Sequence, residues 1–169
     1  VAPGSSESTT FTLSVDDGIA APVTDSATVV VSNSVNNAPT ISGITALTTI
    51  DDTATASPFS GVTIGDADNP AQTLSVSITL DAAAKGTLSN LGGGSYNAAT
   101  GVYTFSGTAA QATAAVRGLV FTPTANRVAP GSSESTTFTL SVDDGIAAPV
   151  TDSATVVVSN SVNNAPTIS

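Results

Sequence analysis

The residues able to do chemistry in this chain are nearly all oxygen donors. Asp66 and Asp68 stand two apart in GDADNP, Asp143 and Asp144 adjoin in VDDG, and Asn36 and Asn37 form a pair just ahead of Pro39. Asp51 and Asp52 adjoin further on, and Glu134 lies in the stretch SSESTT, which also occurs earlier with Glu7. A second pair, Asn163 and Asn164, repeats the first. Against 13 acids there are only three cations, Lys85, Arg117 and Arg127, for a formal charge of −10. Cysteine and histidine are absent. That removes disulfides, thiolate nucleophiles, thiolate zinc sites and the usual general base. So few cations cannot neutralise phosphates, so nucleic acid is excluded as a partner, and so is an anionic membrane surface. No apolar run reaches the length of about 18 residues that a spanning helix needs, and no membrane insertion is expected.

Carboxylates brought close together repel and raise one another's pKa unless a cation intervenes. A hard cation that takes about six to eight oxygens from carboxylates, amides and backbone carbonyls is Ca²⁺. The same residues are also ordinary turn formers, since Asp, Asn and Gly all favour tight loops. What decides between these readings is whether the fold gathers the acids, and that depends on the elements that carry them.

Those elements are strands. Leu74, Val76, Ile78 and Leu80 alternate with Thr73, Ser75, Ser77 and Thr79, and Phe138, Leu140 and Val142 alternate with Thr137, Thr139 and Ser141. Such period-2 patterning argues for half-buried strands. The stretches Val102–Ser106, Leu119–Thr122 and Val150–Ser159 read the same way, with turn signals at Asp68-Asn69-Pro70, Asn90–Gly94, Ala129-Pro130-Gly131 and Asp144-Gly145. One segment differs: Thr108-Ala-Ala-Gln111 has the capping-box pattern and precedes Ala112–Val116 and Gly118, which predicts a single short helix. Seven to nine short strands with one crossover helix describe an all-β Greek-key sandwich.

A long internal repeat sets the organisation. Val1–Ser42 is identical to Val128–Ser169, an offset of 127 residues. This period exceeds the roughly 20–50 residues of solenoid repeats and has the size of a small domain. The expected division is residues 1–37 as the last hairpin and linker of one repeat, 38–164 as a complete repeat, and 165–169 as the start of another. On this plan Asn36, Asn37, Asp66, Asp68, Asp143 and Asp144 share the upper end of the sandwich. Asp51, Asp52 and Glu134 share the lower end with Asn163 and Asn164, and Glu7 is the earlier copy's counterpart of Glu134. The expectation is therefore Ca²⁺ held at the junctions between repeats, with neighbouring identical repeats as partners, in one chain or by strand exchange between chains.

The order NNAPTISG, VTIGDADNP, KGTLS, TFSGTAAQATAAVRGLVFTPTANR and FTLSVDDG…DSATVVV resembles the cadherin-like repeats of giant bacterial surface proteins and adhesins, including those exported by type I secretion. The resemblance implies a secreted, cell-surface location, a role in adhesion or filament building, and calcium at the linkers. It puts Asn36, Asn37 and Pro39 in the place of the calcium-binding linker and Asp66-Ala67-Asp68 in that of the acidic D-x-D. The linker has only Asn where cadherins mix Asp and Asn, and the acidic motif ahead of the penultimate strand is reduced to Glu134.

Two functions compete on these residues. One is a structural extender repeat with no catalysis. The other is a carbohydrate- or protein-binding sandwich, for which exposed aromatics are the usual sign. Aromatics are 4% of the chain with no Trp, and Tyr96, in a Gly-rich loop, is the candidate there.

Overall fold

The computed structural model describes residues 1–163. The expectations for Asn164 and for residues 165–169 fall outside them. The chain begins with a long antiparallel hairpin, β1 (Ser6–Val15) and β2 (Val23–Asn33). Short strands follow: β3 (Thr40–Ser42), β4 (Leu47–Asp51), β5 (Thr63–Gly65) and β6 (Leu74–Leu80), then β7 (Gly86–Ser89), β8 (Ser95–Asn97) and β9 (Val102–Gly107). A helix, α1 (Ala109–Gly118), leads to β10 (Val120–Pro123), β11 (Ser133–Asp143), β12 (Val150–Asp152) and β13 (Val156–Asn160).

Among the described residues the body is an all-β sandwich with one α-helix. Its larger sheet has the order β4-β13-β11-β6-β9-β8, with β12 also on β11. The opposite layer is built from two pairs, β3 with β5 and β7 with β10. Eleven strand segments therefore stand where seven to nine were expected. The predicted strand Val150–Ser159 is divided into β12 and β13 at a bulge where the Asp152 carboxylate accepts from the Ala154 amide at 3.0 Å, a contact that Asp25 and the Ala27 amide also make inside the unbroken β2.

The alternation read from the sequence is the alternation observed. Leu74, Val76, Ile78 and Leu80 on β6, with Phe138, Leu140 and Val142 on β11, are buried, and their threonine and serine neighbours are largely turned out. Phe138 is the keystone of this core. Its ring meets Phe121 edge-on at 5.1 Å between centroids and Phe59 at 5.5 Å. Such pairs favour the T-shaped arrangement because a ring edge is positive and a ring face negative.

The helix forms where its cap predicts. The Thr108 side chain accepts from the Gln111 amide, and Gln111 Oε1 accepts from the Thr108 amide at 2.9 Å. Gly118 is its last residue and Leu119 makes the C-cap, its amide reaching the Val116 carbonyl. Arg117 ties the helix to the small layer, Nε donating to the Val62 carbonyl at 2.6 Å.

The repeated sequence folds twice in the same register. Ser6 faces Asn33 as Ser133 faces Asn160, and Leu13 faces Asp25 as Leu140 faces Asp152. The base closes identically, Gly4 N–H on the Ser34 carbonyl and Gly131 N–H on the Ser161 carbonyl. The surroundings differ completely. Every residue of β1 and β2 is exposed, whereas β11 lies between β6 and the β12/β13 arm, and β13 pairs in parallel with β4.

Candidate functional site

The linker between the first hairpin and the sandwich runs over the end of the body where the β11–β12 turn projects. Asn36 donates through Nδ2 to Asp144 Oδ2 at 2.9 Å. Asn37 donates its backbone N–H to both oxygens of Asp68 at 3.1 Å and its Nδ2 to Oδ1 at 2.8 Å. Gln72 closes the arrangement, Nε2 donating to Asn36 Oδ1 at 2.7 Å. Pro39, next in line, is buried, so the chain enters the body anchored on both sides of Ala38. These are long-range contacts that hold the linker in one orientation relative to the unit it precedes.

Asp144 serves two purposes. Its Oδ1 accepts from the Ile146 and Ala147 amides, both at 2.8 Å, which shapes the turn, while Oδ2 takes Asn36. The Asn36 side chain lowers the Asp144 pKa below the ordinary carboxylate range; burial opposes this and the two turn amides assist it. Asp17, its counterpart in the first hairpin, makes the same turn with the Ile19 and Ala20 amides but has no linker amide. The turn is thus a local product of Asp-Gly chemistry, with Gly18 and Gly145 both at φ +76°. The linker contact is added by the body.

Asp66 accepts from the Asp68 amide at 3.0 Å through Oδ1, which orients the D-x-D loop. Asp66 Oδ2 and Gln72 Oε1 are buried and have no donor among the described residues. Asp143 stands apart from the group. Its carboxylate caps the Gly145 amide and reaches neither the linker nor Asp68.

The lower end is organised differently. Asp52 is buried. Its Oδ2 accepts from the Asn126 amide at 2.8 Å, and Oδ1 from the Val162 amide at 3.4 Å. The Asn126 amide is the main cause of a lowered Asp52 pKa. Asp52 therefore grips the chain as it leaves β13. Asp51, adjacent in sequence, is exposed at the end of β4, facing Asn160. Glu134 lies within β11 and is paired with Arg127, Nε to Oε2 at 2.9 Å. Glu7, on the exposed hairpin, and Asn163, just past β13, are exposed. Among the described residues no three acidic side chains come close enough to share an ion. The upper-end residues Asn36, Asn37, Asp68 and Asp144 are brought together by direct hydrogen bonds, while Asp51, Asp52 and Glu134 are parcelled out to separate partners.

Sequence reasoning missed Gln72, Asn126 and Arg127. Arg127 carried a signal, since it lies seven residues from Glu134 across a Pro-Gly turn. Tyr96 is placed on β8 rather than in the loop, half-buried, with its hydroxyl donating to the Gly86 carbonyl at 3.3 Å. Its ring packs against the core. An open groove of about 650 Å³ crosses the outer face of β6, β8 and β9, lined by Ser75, Ser77, Ser95, Thr104 and Ser106, with Phe105 and Asp143. Among the described residues no helix is long and apolar enough to cross a membrane. The chain matches no family model, no curated protein and no solved structure.

Proposed function

We propose that the chain is a structural extender, one unit of a series joined end to end, whose task is to hold a fixed distance and direction between its ends. The observation that carries this reading is the linker clamp: Asn36 on Asp144 and Asn37 on Asp68. A flexible tether would leave its amides to water. Here side chains 31 and 108 residues away hold them.

The repeat lets a whole junction be assembled from its two halves. Val162 is held by Asp52 of its own body, and Val162 corresponds to Val35. The next residues, Asn36 and Asn37, are held by the following body. Successive residues of one linker are then tied first to the preceding unit and next to the following one, which leaves little length in which to bend. The order and spacing of the motifs, which resemble cadherin-like repeats of bacterial surface proteins, support an extracellular setting and neighbouring identical units as partners. The reading requires no catalysis.

Calcium is the second reading of the same junction. It is favoured by Asp66 Oδ2 and Gln72 Oε1, two buried oxygen acceptors without a donor among the described residues, since carboxylate and amide oxygens are the ligands Ca²⁺ takes. Small-angle scattering of a chain of four consecutive units separates the possibilities. An extended profile both in calcium and after chelation supports the direct clamp. A profile extended only in calcium supports the metal. A compact profile in both conditions refutes the extender.

A further inference from the structure

The first hairpin leaves an apolar face open: Phe11 is 54% exposed, Leu13 66% and Val15 63%. Ordinarily nothing would say what covers such a face. Here residues 128–162 repeat residues 1–35 letter for letter and pair in the same register. The counterparts Phe138, Leu140 and Val142 are 0–1% exposed. Beyond the hairpin itself, what packs on it comes from residues between 38 and 127: β6 along Phe138–Asp143, β4 along Val156–Asn160, and the rings of Phe59 and Phe121.

The chain's own body cannot serve the first hairpin. The seat is filled, and the linker is too short. β11 carries 11 residues, so at about 3.3 Å per residue the sandwich is roughly 33 Å long. β13 finishes beside Asp51 at one end, and Asp144 holds Asn36 at the other. For β2 to replace β13 with the linker left where it is, Asn33 would lie beside Asp51 at one end and Asn36 would stay at the other. Three peptide steps span roughly 11 Å at most.

We propose that β1–β2 is a donor hairpin that seats in the body, residues 38–127, of another copy of this sequence. It takes there the place that β11–β13 takes in its own. By the 127-residue offset, Phe11 faces Leu80 and Asp16 faces Ser75 of that copy's β6, while Val29 faces Leu47 and Asn33 faces Asp51 of its β4. This deepens the repeat reading and rests on it for a body with a vacant seat. The seat itself is described by the second copy.

The test is to spoil the occupant in the full-length chain. Leu140→Asp puts a charge into the core and disables the chain's own hairpin, but leaves β1–β2 intact to close a neighbour. Leu13→Asp does the same to the donor. The expected result is that Leu140→Asp keeps its near-ultraviolet circular dichroism and at least doubles its mass by light scattering. Leu13→Asp alone behaves as the unaltered chain, and the double variant loses the signal. Phe138→Asp with Phe11→Asp repeats the comparison one contact away. A Leu140→Asp chain as unfolded as the double variant, or folded and monomeric, overturns the proposal. Failed rescue together with an extended multi-unit chain removes the donor hairpin and leaves the repeat reading standing. Rescue with a compact multi-unit chain does the reverse.

Discussion

Thr9–Val15 and Thr136–Val142 are the same residues in the same order, each forming the first strand of a hairpin with the same partners. Phe11 is 54% exposed and Phe138 not at all. The pair separates what short-range sequence decides from what the fold decides. Pairing, bulge and Asp-Gly turn come out alike in both copies, so they follow from local chemistry. Burial, aromatic packing and the linker contact occur only where a body is present to supply β4, β6, Phe59 and Phe121. An isolated two-stranded hairpin is marginal in water, so the second copy draws most of its stability from tertiary packing.

The largest expected effect breaks the comparison at its most unequal position. Phe138→Ala should cost about 3–5 kcal/mol, since it removes a fully buried ring and leaves a cavity beside Phe59 and Phe121. Phe11→Ala should stay within about 0.5 kcal/mol of the unaltered chain. Denaturant titration of both variants checks this, and equal midpoints would remove the distinction between the two copies.

Next in size is the linker. Asn36→Ala deletes the donor to Asp144 and the acceptor for Gln72, which should cost about 1–2 kcal/mol in the same titration. Asn163→Ala, at the corresponding position one period later, is exposed and should be silent. A matching loss at both positions would mean that the clamp adds nothing to the body.

The smallest effect is in acid. The folded pKa of Asp144 lies below its ordinary value. Its stabilisation is therefore complete above the ordinary carboxylate pKa and is lost as pH falls through the lower, folded value. Asp144→Asn should flatten the acid limb of the body's stability curve. Asp17 is also lowered, chiefly by the Ala20 amide, but its turn is exposed and away from the body, so Asp17→Asn should leave that limb unchanged. The check is the midpoint of thermal unfolding followed between neutral and strongly acidic pH.

Much of the architecture was legible beforehand because it rests on local or periodic signals. The alternation on β6 and β11 and the capping box at Thr108 lie within short windows of sequence, and the repeat shows as a letter-for-letter identity. The placing of Asp66, Asp68 and Asp144 near the linker was expected from an assumed up-and-down order of strands, whereas Asp143 stands apart from them. What stayed hidden depends on distance. Gln72 meets Asn36 only once β6 is in place, and Asp52 finds Asn126 and Val162 across separations of 74 and 110 residues. The same residue type also hides different duties: Asp143 caps a turn and its neighbour Asp144 grips the linker, a difference set by which way each side chain leaves the strand end. Tyr96 read as a loop aromatic because three glycines precede Ser95, yet its strand pairing with Tyr103 turns it toward the body.

The central proposal is that the first hairpin seats in a body like that of residues 38–127 other than the chain's own. The direct measurement is amide hydrogen exchange by NMR on a chain extended ahead of Val1 by the sequence of residues 38–127, with residues 1–35 segmentally labelled. In the chain of 169 residues, the amides of Phe11 and Leu13 should exchange far faster than those of Phe138 and Leu140. In the extended chain they should become as protected as their counterparts. Exchange at Phe11 and Leu13 that stays fast despite the added body would contradict the account.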